Sequence, residues 1–205
     1  MPQVRKDEVG ARIRAGALRA FARAGYERAT MSDVAREADV STGNLYRYFE
    51  SKEELFEAAL GDTFVTTFRA LLRARVRALA GIVDVAALPE GSDFAVAAEE
   101  LLRFSVEHRL RVVVLLGRAA GSRYAGVAED TVAELVALAT THFAELGVGA
   151  PLAPPERYVL ERIYRNLLAT TVDVLADHED EASIRSATAR FSAYHLAGLR
   201  AFFAR

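Results

Sequence analysis

The sequence predicts an all-α protein: about nine helices, arranged as an N-terminal three-helix domain and a larger C-terminal helical bundle. Three observations carry this. Apolar residues recur at three- and four-residue steps along nearly the whole chain. Ser, Thr and Pro stand where those periodic stretches begin, and Gly where several of them end. The β-branched run in Arg111 to Arg118 (RVVVLLGR) has no second strand candidate to pair with, so it reads as a buried helix.

In chain order, residues 1–6 form a short basic tail, read as a frayed terminus. A helix from Asp7 to Ala24 places Val9, Ile13, Ala17, Leu18 and Phe21 on one side, and Gly25 ends it. Arg12, Arg14, Arg19 and Arg23 lie on its other faces as solvated cations. The stretch Thr30 to Lys52, TMSDVAREADVSTGNLYRYFESK, then holds two short helices and the start of a third. Thr30 and Asp33 have capping-box spacing for a helix with Met31, Val34, Ala35 and Ala38 inward. Asp39-Val40-Ser41 breaks the period, and Ser41 caps a second helix, Thr42 to Tyr48, with Leu45 and Phe49 inward. Ser51 and Glu54 form another capping box and open the next helix at Lys52. Two helices of about two turns with so short a connection make a helix-turn-helix, whose second member enters the DNA major groove.

From Lys52 to about Ala80 the periodicity reads as one long helix, with Gly61 its weak point at about 1 kcal/mol relative to Ala. Residues 81–92 read as a loop. Helices follow over Asp93 to Glu107, across Arg111 to Arg118, and over Ala125 to Leu146. The run GVGAPLAPP, residues 147–155, is a break, and Pro155 suits the first turn of a helix reaching Ala176. Asp177 to Glu181 make an acidic turn, and a last helix spans Ala182 to Phe203.

Composition bounds the function. Of 205 residues, 52% are apolar and 26% charged, enough for a packed core in a soluble protein. The absence of cysteine removes disulfides and thiol chemistry. No apolar run nears the roughly 18 residues of a membrane span, and the N-terminus lacks a signal-peptide core, so a cytoplasmic location and no membrane partner are expected. Net charge is −2, split as +3 over residues 1–49 and −5 over residues 50–205, as for a basic reading head on an acidic body. No G-x-S-x-G, phosphate-binding glycine loop or H-E-x-x-H occurs, so neither an enzyme nor a cofactor is expected. Asp173, Asp177, His178 and Glu181 have metal-compatible spacing, but read as an exposed acidic turn.

The run from Ile13 through Phe56 resembles the N-terminal domain of the tetracycline-repressor (TetR) type of bacterial transcription regulators. The matching residues are Ile13, Ala17, Phe21, Gly25-Tyr26, Ala29-Thr30, Val34-Ala35, Ala38, Val40-Ser41, Gly43-Asn44-Leu45-Tyr46, Tyr48-Phe49, Ser51-Lys52 and Leu55-Phe56. One departure is Asp39, in a turn position where members usually carry Gly. The resemblance implies a DNA-binding domain over residues 1–52 and a ligand-sensing and dimerisation domain over residues 53–205. It further implies a homodimer, joined through the last two helices, that represses from a palindromic double-stranded operator until a small-molecule effector releases it. By their chemistry, Thr42, Asn44, Tyr46 and Arg47 are expected to face the groove, with Arg47 reading a guanine and Gly43 letting the backbone approach. Thr30, Ser41, Tyr48 and Lys52 are expected on phosphates. Polar groups that interrupt apolar faces in the body are candidates for the effector pocket: His108, Arg111, Arg118, Tyr124, His142, Arg162, Asn166, Thr170 and Asp173. Two alternatives stand beside this reading, a helical small-molecule carrier and a ligand-independent DNA-binding protein.

Overall fold

Ten α-helices and no strand are present among the residues described by this computed structural model, which are 2–79, 82, 89, 91–145 and 152–203, with side chains from residue 7 onward. They are α1 (Pro2–Ala24), α2 (Met31–Glu37), α3 (Thr42–Leu45), α4 (Lys52–Leu60), α5 (Asp62–Arg77), α6 (Asp93–Glu107), α7 (Arg109–Gly117), α8 (Val127–Glu145), α9 (Pro154–Asp177) and α10 (Glu181–Phe203). The breaks expected at 81–92 and 147–155 lie largely outside the described residues. The expected tail is helical from Pro2, so α1 is longer than its apolar period indicated.

The one long helix expected from Lys52 to Ala80 is two. Gly61 adopts φ 78° and closes α4 by donating its N–H to the Glu57 carbonyl at 2.8 Å. A positive φ is open to glycine without steric cost, which is why the break falls there. Asp62 then opens α5. Its carboxylate accepts the Tyr124 hydroxyl at 2.6 Å and an Arg123 guanidinium N–H, and both lower its pKa, the tyrosine more.

The helices form two compact units, Met1–Thr66 with Arg109–Val127, and Thr67–His108 with Ala128–Arg205. In the first, Ile13, Ala17 and Phe21 of α1, Val34 of α2, Leu45 of α3, and Leu55 and Phe56 of α4 are fully or almost fully buried. Each large side chain so buried contributes about 1.5–3 kcal/mol. Phe21 meets Phe56 edge-on at 4.9 Å, and Tyr26 lies 4.6 Å from the same ring. The β-branched run closes this core as a helix, with Val112, Val113, Val114 and Leu115 of α7 all buried. Beyond α7, the Tyr26 N–H donates to the Arg118 carbonyl at 2.9 Å. This unit is therefore more than residues 1–52, since α4 and the returning 109–127 segment complete its core.

In the second unit, α9 buries Leu160, Tyr164, Leu168, Val172 and Leu175, and α10 buries Ile184, His195, Leu199 and Phe203. Arg185 of α10 forks onto both carboxylate oxygens of Glu99 at 2.8 Å and bonds Glu181 one turn back. Arg73 of α5 pairs with Glu134 of α8.

Candidate functional site

The helix-turn-helix is built by short-range chemistry. The Thr30 hydroxyl oxygen accepts the Asp33 N–H at 3.1 Å, and the Asp33 carboxylate accepts the Thr30 N–H at 3.0 Å and its hydroxyl at 2.6 Å. These bonds, with Arg36 beside them, hold the Asp33 pKa down at about 2. Ser41 caps α3 by accepting the Asn44 N–H at 3.1 Å. Ser51 caps α4 through Glu54 N–H, while the Glu54 carboxylate reaches back to the N–H of Glu50. Regular α-helix in α3 ends at Leu45 rather than Tyr48, because Arg47 and Tyr48 donate to carbonyls three residues back and tighten the last turn.

The turn between α2 and α3 needs one left-handed residue, and Asp39 supplies it at φ 51°, unique among the described non-glycine residues. Val40 N–H returns to the Ala35 carbonyl at 3.0 Å, closing the end of α2. Two further features fix α2 and its turn against α1. At Gly16 a Cβ would lie 2.7 Å from the Ala38 nitrogen, so only glycine permits this approach. Arg19 and Arg23 also close on Glu37, whose pKa they lower, Arg23 more strongly. Two arginines read as solvated therefore tie α1 to the end of α2.

This scaffold leaves Thr42, Gly43, Asn44, Tyr46 and Arg47 outside the core. Tyr46 is 50% exposed, whereas the alternating Leu45 and Phe49 are buried. The side chains of Thr42, Asn44, Tyr46 and Arg47 make no hydrogen bond among the described residues, so their polar groups face outward uncommitted. Tyr48 is half-buried beside Gly10 of α1. Lys52 differs: its Nζ donates to the carbonyls of Tyr26 at 2.8 Å, Glu27 at 3.2 Å and Ala29 at 3.2 Å, and stands 4.5 Å above the Tyr26 ring. The structure thus gives this ammonium work inside the protein, pinning the α1–α2 connection.

The nine polar residues expected to line a pocket do not converge. Arg111, Arg118 and Tyr124 belong to the first unit, bonded to Ala59 O at 3.0 Å, Ala22 O at 3.3 Å and Asp62. His108 meets the Phe104 ring edge-on at 4.5 Å. On α9, Arg162, Asn166 and Asp173 are exposed and Thr170 is half-buried, on a face turned from the chamber. A cavity of about 630 Å³ does exist in the second unit, among α5, α8, α9 and α10. Of the nine only His142 lines it, with Arg75, Tyr164, His195 and Arg200 as the other polar walls. Burial lowers the pKa of His142, and that of His195 to about 4, with Arg75 adding to the latter. Among the described residues no cluster of His, Asp or Glu could hold a metal ion, and no helix is long and apolar enough to cross a membrane.

Residues 13–59, from mid-α1 to the end of α4, match the family model of bacterial regulatory proteins of the tetR family. That match spans less than a quarter of the chain. Over 53 residues the chain is 47% identical to the HTH-type transcriptional repressor KstR of Mycolicibacterium smegmatis (strain ATCC 700084 / mc(2)155), 26% of each chain. The match thus spans about a quarter of that relative's length. Over longer spans the chain is similar to a candidate tetR family transcription regulator from Shewanella sp. PV-4, at 18% identity and TM-score 0.41, covering 89% of this chain and 95% of the other. A second, from Mesorhizobium loti MAFF303099, gives 17% and 0.38 over 90% and 97%. Sequence reasoning missed Gly16, the Glu37 clamp, Arg75, Tyr164 and His195. Arg75 carried a signal: it stands three residues from Leu72 and four from Leu79, on the apolar stripe of its helix.

Proposed function

We propose that the chain is a homodimeric transcriptional regulator that reads a palindromic operator, represses from it, and leaves it when a small molecule binds. One observation supports this above all. The side chains of Thr42, Asn44, Tyr46 and Arg47 make no hydrogen bond among the described residues, with Gly43, Tyr46 and Arg47 exposed and Thr42 and Asn44 half-buried, on a helix held by its cap, the left-handed Asp39 and the Gly16 contact. Such a set suits base edges: Arg47 can fork onto a guanine and Asn44 onto an adenine, with Thr30, Ser41 and Tyr48 proposed to take phosphates. Gly43 has nothing within 4 Å of the place a Cβ would take, so a DNA backbone can come close.

Two turns of helix touch few bases, and a two-fold dimer doubles the contact at half-sites about 34–36 Å apart. The last two helices suit that interface. Tyr158 and Val159 of α9 and Tyr194 of α10 are large and exposed, at 58%, 45% and 72%. Gly198 has open space around its Cα, which favours close approach of a second helix. Phe203, by contrast, stacks on Phe143 at 3.9 Å inside its own unit. The cavity supplies a place for an effector, and the repressing sense agrees with the name of the M. smegmatis relative.

The test is selection from a random duplex pool, followed by mobility shifts and sedimentation of the free protein. The expected result is a two-fold symmetric consensus bound by a dimer. A chain that enriches no sequence, or sediments as a monomer at micromolar concentration with and without DNA, removes the reading.

A further inference from the structure

We propose that the cavity among α5, α8, α9 and α10 takes an amphiphilic carboxylate, an apolar body with one anionic head received by Arg75. This rests on the sensing role proposed above and adds the chemistry of the ligand. The volume of about 630 Å³ falls within the roughly 300–1,000 Å³ of small-molecule sites. Leu135, Phe143 and Leu167 are among its many apolar walls. Two cations line it, and among the described residues no Asp or Glu does. Arg200 is exposed. Arg75 is the more buried one, half-buried with its pKa lowered by burial: its guanidinium carbon lies 5.3 Å from the centre of the Phe94 ring, and no carboxylate pairs with it among the described residues.

A guanidinium keeps its proton in a protein, so an enclosed one has to find acceptors. Those beside Arg75 are neutral at physiological pH. Burial pushes the Tyr164 hydroxyl far above its ordinary range and takes His195 down to about 4. Beside its exposed Arg200, the chamber therefore presents one inward positive charge in apolar surroundings, with a phenol and an imidazole as neutral hydrogen-bonding neighbours. A carboxylate matches the planar fork of arginine with two parallel hydrogen bonds, and an apolar body fills the rest. A neutral lipid leaves the charge unanswered, a cation meets repulsion, and a polyanion finds too few donors.

The test is calorimetric titration of the full chain with decanoate, decanol and decyltrimethylammonium. Decanoate is expected to bind at least about tenfold more tightly than decanol, the scale of one charged hydrogen bond, with the cation weakest. Arg75→Gln should lower decanoate affinity about tenfold or more and leave decanol within about threefold. Arg75→Lys should keep the carboxylate preference, and it serves if the glutamine variant does not fold. Ala139→Leu, which fills the chamber, should weaken both ligands. Equal binding of decanoate and decanol, equal losses from Arg75→Gln, no decanoate binding, or decanoate binding untouched by Ala139→Leu each overturn the proposal. DNA release is measured separately. Arg75-dependent decanoate binding without release supports the ligand class and removes the effector role, whereas release by decanol with no decanoate binding does the reverse.

Discussion

Replacing Gly16 with alanine would put a methyl group 2.7 Å from the Ala38 nitrogen, 2.8 Å from its Cβ and 2.9 Å from its Cα. Two of those atoms are backbone at the end of α2, so no side chain can swing aside. Ordinary contact begins at 3.4 Å, and the shortfall from 2.7 Å means α1 and the turn before α3 must part by about 0.7 Å. Overpacking of this kind costs about 1–3 kcal/mol. Alanine is also the better helix former, which returns about 1 kcal/mol. The net expectation is a loss of up to about 2 kcal/mol, with each kcal/mol lowering the melting temperature by roughly 2–4 °C. Because only a three-residue turn separates Ala38 from α3, operator affinity should fall as well, even at temperatures where the variant is fully folded. Thermal melting by circular dichroism and a mobility shift on the selected site are the two assays. A variant that melts higher than the parent, as helix propensity alone dictates, and binds DNA equally well would refute the close contact.

Four other perturbations separate reading from scaffolding. Arg47→Ala should relax base preference by about 1–3 kcal/mol, and equal losses on operator and random DNA would deny it base readout. Lys52→Met should lower stability by about 1–3 kcal/mol, because it strands three carbonyls of the α1–α2 connection. If its melting temperature holds while every DNA weakens alike, Lys52 is a phosphate contact as the sequence suggests. Asp39→Gly should raise stability by up to about 1 kcal/mol by removing the left-handed cost at φ 51°, net of glycine's chain entropy, and a lower melting temperature contradicts this. Asp33, at about 2 against its ordinary 3.8, is depressed on folding, so its capping contribution is complete above pH about 4 and fades as pH falls through about 2. Thr30→Val should move the Asp33 titration, followed by carboxyl carbon NMR, back toward 3.8, and an unmoved midpoint would leave Thr30 without that role.

What the sequence disclosed and what it withheld divide by the range of the deciding interaction. The caps at Thr30, Ser41 and Ser51 each close within three residues, and the left-handed turn at Asp39 is local too, so spacing alone located the helix-turn-helix. The break at Gly61 was visible only as a weak point, because its partner Asp62 is fixed by Arg123 and Tyr124, some sixty positions away in sequence. Arg111, Arg118 and Tyr124 lie outside the cavity, and the carbonyls of Ala59 and Ala22 and the Asp62 carboxylate that engage them are invisible to periodicity.

The cavity shows the other side of this limit. On α9 the polar residues at 162, 166, 170 and 173 share a face by spacing, yet spacing cannot say which face is enclosed, and the wall is made by Tyr164 and Leu167. A polar stripe on a helix meets solvent with no further cost. An isolated polar group on an apolar stripe does carry a cost, and it persists only where something answers it. Arg75 between Leu72 and Leu79, and His195 between Phe191 and Leu199, are such groups, four residues or fewer from apolar neighbours on the same face. Both line the chamber. In this helical bundle, the polar residues that break an apolar period line the cavity, whereas the polar residues of α9 that form a period of their own do not.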